Sequence, residues 1–142
     1  MILLDVNVLV YAHREETEHH HECLRFLESA LDGLYSVGLS ELVLSGTLRI
    51  LTHPKIFSPP TPLAKAIEFV SALRNHPNVT LISPGDRHWD LFTRLCHMSD
   101  ARGNLVSDAY HAALAMESGL EWVTTDRDFA RFPGLQWRLP SV

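Results

Sequence analysis

The chain has 142 residues, of which 46% are hydrophobic and 20% charged, with a formal net charge of −5. That length fits one domain spanning residues 1–142, and the composition predicts a packed core and excludes intrinsic disorder. No apolar run is long enough to cross a bilayer, and the negative balance excludes a protein that coats nucleic acid by charge alone.

The predicted elements begin with a short buried strand at residues 2–4, ending at Asp5, and a helix over residues 6–13. This start, MILLDVNVLVYA, carries no basic n-region and no small-residue cleavage site. No signal peptide and a cytoplasmic location are therefore expected. Residues 16–31 have helical spacing, with Gly33 as the terminating glycine. A second strand is expected over residues 34–37, before Gly38. Ser40 looks like the N-cap of a helix reaching about residue 52, which Pro54 stops.

Pro59, Pro60 and Pro62 mark residues 57–62 as a rigid connector. An amphipathic helix is predicted over residues 63–74, a third strand over 79–82, and a helix over about 86–98. A loop at 101–104 leads to a helix over 106–117, closed by Gly119. A fourth strand follows at 121–124, then a helical turn at 126–131 and a last strand at 135–138. Short apolar strands alternating with longer helices imply an α/β sandwich around a short, mainly parallel sheet.

Four acids border apolar runs in place of solvated faces: Asp5 in ILLDVNVLV, Glu41 in LSELVL, Asp108 in NLVSDAYHAALA and Asp126 in WVTTDRDF. A carboxylate near a core must be paired, hydrogen-bonded or bound to a metal. In parallel sheets ligands bind beyond the carboxyl ends of the strands. Asp5 and Asp126 fall at such ends, while Glu41 and Asp108 lie near helix starts, so the four can meet on one edge. Carboxylates about 4 Å apart repel by roughly 4 kcal/mol at an effective dielectric near 20, and a divalent cation relieves that. Mg²⁺ suits an all-oxygen site, with Mn²⁺ as a substitute, and supports phosphodiester hydrolysis by metal-activated water.

Supporting groups are Asn7, able to bond a ligand carboxylate, the hydroxyls of Thr124 and Thr125 beside Asp126, and Asp128 as a fifth acid. Ala109, Ala112, Ala113 and Ala115 keep the helix around Asp108 slim. Each acid also has an ordinary reading, as a turn residue or a helix-dipole partner. Cys23 and Cys96 are read as reduced thiols, His19 to His21 as a solvated helix start, and His111 as a structural histidine. Of the 12 basic residues only Lys55 and Lys65 are lysines; Arg14, Arg49, Arg102 and Arg127 are candidate phosphate contacts.

The runs DVNVLVYA, Ser40-Glu41, NLVSDAYHAALA and TTDRDFARFPGLQW resemble the PIN domain and, within it, the VapC toxins of bacterial toxin–antitoxin pairs. The resemblance spans nearly the whole chain in the family's motif order. It implies a single PIN-like α/β/α domain and an Mg²⁺- or Mn²⁺-dependent endoribonuclease cutting transfer or ribosomal RNA. A VapB-type antitoxin lying in the active-site groove and a homodimer are also implied. By the same resemblance Asp5 and Asp108 are the direct metal ligands. Glu41 and Asp126 hold water ligands or a second ion.

Three other functions compete. A dehalogenase-type phosphatase needs DxD, and Asn7 stands at the second position. A response-regulator receiver needs a phosphoacceptor on a middle strand and a late lysine, and neither is visible. A PIN-like scaffold that binds without cutting has no need of intact acids.

Overall fold

A computed structural model describes residues 1–141. Five strands, β1 (Ile2–Leu4), β2 (Val37–Leu39), β3 (Val79–Leu81), β4 (Glu121–Val123) and β5 (Trp137–Arg138), form one sheet in the order β3-β2-β1-β4-β5, with every pairing parallel. All residues of β1 and β2 are buried, as parallel strands covered on both faces must be. The helices are α1 (Val6–His13), α2 (His20–Ser29), α3 (Glu41–Leu51), α4 (Leu63–Arg74), α5 (His88–Ser99) and α6 (Asn104–Ser118). Helices α1 to α4 pack among themselves and α5 packs on α6. With this strand order, crossovers of the usual right-handed sense put these two groups on opposite faces of the sheet.

Most expected elements lie within two residues of the observed ones. The second strand is displaced. After α2 the chain makes a π-type turn over Ala30–Leu34, with Gly33 at φ 110°, so Leu34 is left exposed and pairing starts only at Val37. The strand then runs through Gly38. A Cβ there would meet Ile82 Cγ1 at 2.9 Å and the Ile2 carbonyl oxygen at 3.1 Å, so this glycine permits close strand approach and does not mark a strand end. The second helix starts four residues late. Thr17 Oγ1 donates to the Arg14 carbonyl at 2.7 Å and the His20 amide donates to the Thr17 carbonyl, closing a turn where helix was expected. His20 is no solvated helix start either: its ring is buried and its Nδ1 lies 2.8 Å from the Tyr11 carbonyl oxygen.

The strand order sets the position of the site. From β1 the chain moves outward through β2 to β3, then crosses back to β4 on the other side of β1. The crevice between the carboxyl ends of β1 and β4 is the topological switch point, where such sheets bind ligands.

Candidate active site

Asp5 follows β1 directly and caps α1. Its Oδ1 accepts from the Val6 amide at 2.6 Å, and its Oδ2 accepts from Thr124 Oγ1 at 2.7 Å and Asn7 Nδ2 at 3.1 Å. The register pairs Leu4 with Val123, which brings Asp5 beside Thr124, one residue beyond each strand. Asp5 is only 7% exposed. Burial pushes its carboxyl up to about 7, aided by the charges of Asp108 and Asp126, while the Thr124 and Val6 hydrogen bonds pull it down.

Asn7 ties this turn to the next one. Its Nδ2 also donates to Thr124 Oγ1 at 3.1 Å, and its Oδ1 accepts from the Thr125 amide at 3.0 Å. Thr124 Oγ1 further accepts from the Asp126 amide at 3.0 Å. Thr124, fully buried, is thus the hub that couples Asp5, Asn7 and Asp126. Thr125 contributes its backbone N–H, where a hydroxyl contribution was expected. Reading the sequence understated Thr124, because only the strand register shows which of two adjacent threonines turns toward Asp5.

Asp126 caps the 3₁₀ turn Arg127–Arg131, its Oδ1 accepting from the Asp128 amide at 2.9 Å. The Asp128 side chain is exposed, 3.9 Å from Arg131 Nη2. Asp108 lies in the second turn of α6, whose Ala109, Ala112, Ala113 and Ala115 are fully buried. Burial raises its carboxyl to about 6; Asp126 and Asp128 push the same way and Arg131 opposes them. Asp5, Asp108 and Asp126 line one cleft of about 340 Å³.

Glu41 does not join them. It begins α3 at the same edge of the sheet, after Ser40 caps the helix through the Val43 amide. Its carboxylate points to Arg74, whose Nε and Nη2 both lie 3.2 Å from Oε2, and its side chain is 68% exposed. The expected four-acid cluster is therefore a three-acid cleft with a nearby ion pair. The cationic partner is 33 residues away on α4, out of reach of any local reading.

His111 lies outside the cleft. It is buried and stacks on Trp122, with centroids 5.3 Å apart and planes 17° apart, and its Nδ1 has no hydrogen-bond partner. Burial lowers its pKa to about 4. A neutral native ring stabilises the fold fully above the unfolded value of 6.5, and that contribution is lost as pH falls toward 4. The shift corresponds to about 3 kcal/mol. His111→Phe is expected to remove this contribution and leave the opposing slope of Asp5, so that stability at pH 7 falls relative to pH 5, which urea denaturation at the two pH values measures. An unchanged slope would show that His111 does not titrate on unfolding.

The donor set of the cleft is hard oxygen alone, with no imidazole or thiol lining it. Among the described residues no three His, Cys, Asp or Glu side chains are gathered tightly enough to cage an ion unaided. Mg²⁺ keeps several waters and commonly takes one or two carboxylates from a protein, so an open aspartate cleft fits it. Mutual repulsion of Asp5, Asp108 and Asp126 adds a reason for a cation there.

The same cleft has an apolar lining of Val6, Val10, Ile50, Ile56, Phe57 and Phe129, together with Tyr11. Cys23 and Cys96 are free thiols, and among the described residues no helix is long and apolar enough to cross a membrane.

The PIN domain family matches residues 2–135. Ribonuclease VapC43 of Mycobacterium tuberculosis is 41% identical over 140 residues, covering 99% of this chain and 95% of that protein. Ribonuclease VapC37 of the same organism is 38% identical over 142 residues, covering 100% and 99%. Among solved structures, VapBC2 from Rickettsia felis bound to a promoter DNA fragment superimposes with a TM-score of 0.72 at 18% identity, covering 98% of each chain.

Proposed function

The chain belongs to the PIN-domain family, among its VapC members, and from that premise we propose that it is an Mg²⁺- or Mn²⁺-dependent endoribonuclease, the toxin of a type II toxin–antitoxin pair. The observation that carries this reading is the convergence of Asp5, Asp108 and Asp126, from three separate elements, on one cleft at the switch point of the sheet. Its full-length relatives at 38–41% identity are named ribonucleases.

Asp5 and Asp108 would hold the ion, with Asp126 beside them. Bound there, it would polarise the phosphodiester and make the attacking water more acidic. The chain's own contribution is positioning. Asp5 cannot rotate, because three donors fix both of its oxygens. The Asn7 bridge keeps the β1–α1 turn at a set distance from the β4 turn that carries Asp126. Arg131, held through its Nε to the Asp128 carbonyl at 3.1 Å, puts positive charge near Asp108. The apolar side chains lining the cleft lower the local dielectric and strengthen these charge interactions.

Glu41 is assigned a supporting role through water, reached by leaving Arg74. Ion pairs this exposed contribute only about 0–1 kcal/mol, so the exchange costs little. Transfer or ribosomal RNA is the substrate proposed for it. A VapB-type antitoxin would cover the groove, placing a basic side chain among the acids against the apolar wall. Exposed Leu42, Leu63 and Ile67 offer apolar surface for a homodimer.

Purified protein incubated with total RNA should generate discrete new 5′ ends with Mg²⁺ or Mn²⁺. EDTA should abolish them, and Asp108→Asn should reduce them more than about a hundredfold, beyond the range of outer-shell changes. Cleavage that persists in EDTA, or in the folded variant, would overturn the reading.

A further inference from the structure

The carboxylates explain half of the cleft. Most of the remaining lining is apolar or aromatic, built from Val10 and Tyr11 of α1, Ile50 of α3, and Ile56 and Phe57 of the loop that follows. Metal and phosphate require no such surface.

The loop carrying Phe57 is fixed with unusual completeness. The Arg14 guanidinium lies over the Phe57 ring, 4.2 Å from its centroid. Its Nη1 donates to Thr61 Oγ1 at 3.1 Å, its Nη2 to the Pro59 carbonyl at 3.0 Å, and its Nε to Glu16 Oε1 at 2.7 Å. The Thr61 amide donates to the Leu51 carbonyl at 2.8 Å and closes the loop base. Arg14 is therefore occupied within the protein and is not free as the phosphate contact its sequence position suggested. It backs Phe57 with a cation, so the ring is held rigidly against the cleft. A volume of about 340 Å³ lies at the small end of sites for single ligands. It suits one nucleotide and not a helix.

We propose that this apolar wall is a nucleobase subsite, in which an unpaired base beside the scissile phosphate packs on Phe57 and Tyr11 while the phosphate lies at Asp5, Asp108 and Asp126. The inference rests on the ribonuclease reading and deepens it by naming the side chains on which one unstacked base would pack. Phosphates carry no sequence information, and unstacked bases on aromatic rings supply it in RNA recognition. Arg14 is the positioning residue that keeps the subsite formed.

The test uses RNA oligonucleotides spanning the mapped cut site, intact or abasic on either side of it. Wild type is expected to lose between about tenfold and a hundredfold in kcat/KM on one abasic RNA, the range of one base stack, mostly through KM. Phe57→Ala should show that loss on intact RNA and no further loss on the abasic one. Phe57→Trp should restore discrimination, and Arg14→Met should raise KM with little change in kcat. Equal losses for Phe57→Ala on both RNAs, or none on either, would overturn the proposal.

A second measurement does not depend on cleavage. NMR titration of the Asp108→Asn protein with adenosine should shift Phe57 and Tyr11 resonances, and ribose should not. Adenosine binding to this variant together with no RNA cleavage by the wild-type protein would sink the ribonuclease reading alone. Cleavage with identical responses to adenosine and ribose would sink the subsite alone. If Phe57→Ala releases an antitoxin peptide but leaves the adenosine shifts intact, the wall serves a protein partner and the proposal fails.

Discussion

Asp5→Asn is expected to abolish RNA cleavage and, at the same time, to raise the stability of the metal-free protein at pH 7.5. The two effects have one cause. Asp5 is buried with its carboxyl raised from 3.8 to about 7. A raised carboxyl penalises the native state as pH increases: the penalty is absent below 3.8, grows through the interval, and is complete above about 7. The shift corresponds to about 4 kcal/mol at most. Asparagine removes the charge but sets its amide against the Asn7 amide, which now donates to Asp5 at 3.1 Å. The net gain should be about 2 kcal/mol, or roughly 5 °C in melting temperature.

Mg²⁺ should reverse the ranking. A ligand of the native state stabilises by mass action, so wild type should gain with Mg²⁺ concentration and Asp5→Asn should not. His111 enters the same measurement with opposite sign. Between about pH 4 and 6.5 the native state withholds a proton from His111 and retains one on Asp5, so the two slopes oppose each other and wild-type stability is nearly flat from this pair. Asp5→Asn should unmask the histidine slope. A variant less stable than wild type at pH 7.5 without metal, measured by urea denaturation, would refute the claim that Asp5 is held under electrostatic strain.

Thr124→Val should damage the site nearly as severely without touching a carboxylate. The substitution keeps the shape and deletes one hydroxyl. That oxygen donates to Asp5 and accepts from both Asn7 and the Asp126 amide. Each buried group left without a partner costs about 1–3 kcal/mol, so a loss of about 2–4 kcal/mol is expected. Asp5 also loses the hydrogen bond that most lowers its pKa, so the activity–pH profile should move to higher pH. Thr124→Ser keeps the hydroxyl and should retain both stability and profile. If valine leaves the pH profile unmoved, Thr124 is only a packing residue.

Much of this was legible because it is local. Asp5 is legible as an acid closing an apolar strand, and Ser40 as a capping residue just ahead of an apolar helical stripe. The alanines around Asp108 are legible because small residues at helical spacing have few other uses. The sheet, helices and their order follow from such periodicities, and the motif order pointed to the PIN family. Gly38 was misread because its value lies in a neighbour, Ile82, that local sequence does not reveal. Arg131 was passed over because its nearness to Asp108 is a property of the assembled turn.

Sequence alone determined which carboxyl groups sit beside apolar segments, since burial tendency is written into each residue's immediate neighbours. Only the tertiary structure decided which of them face one another. That depends on strand register and helix packing, which paired Asp5 with Thr124 across 119 positions and gave Glu41 to Arg74. Electrostatic coupling falls with distance in space, and chain separation does not measure that distance.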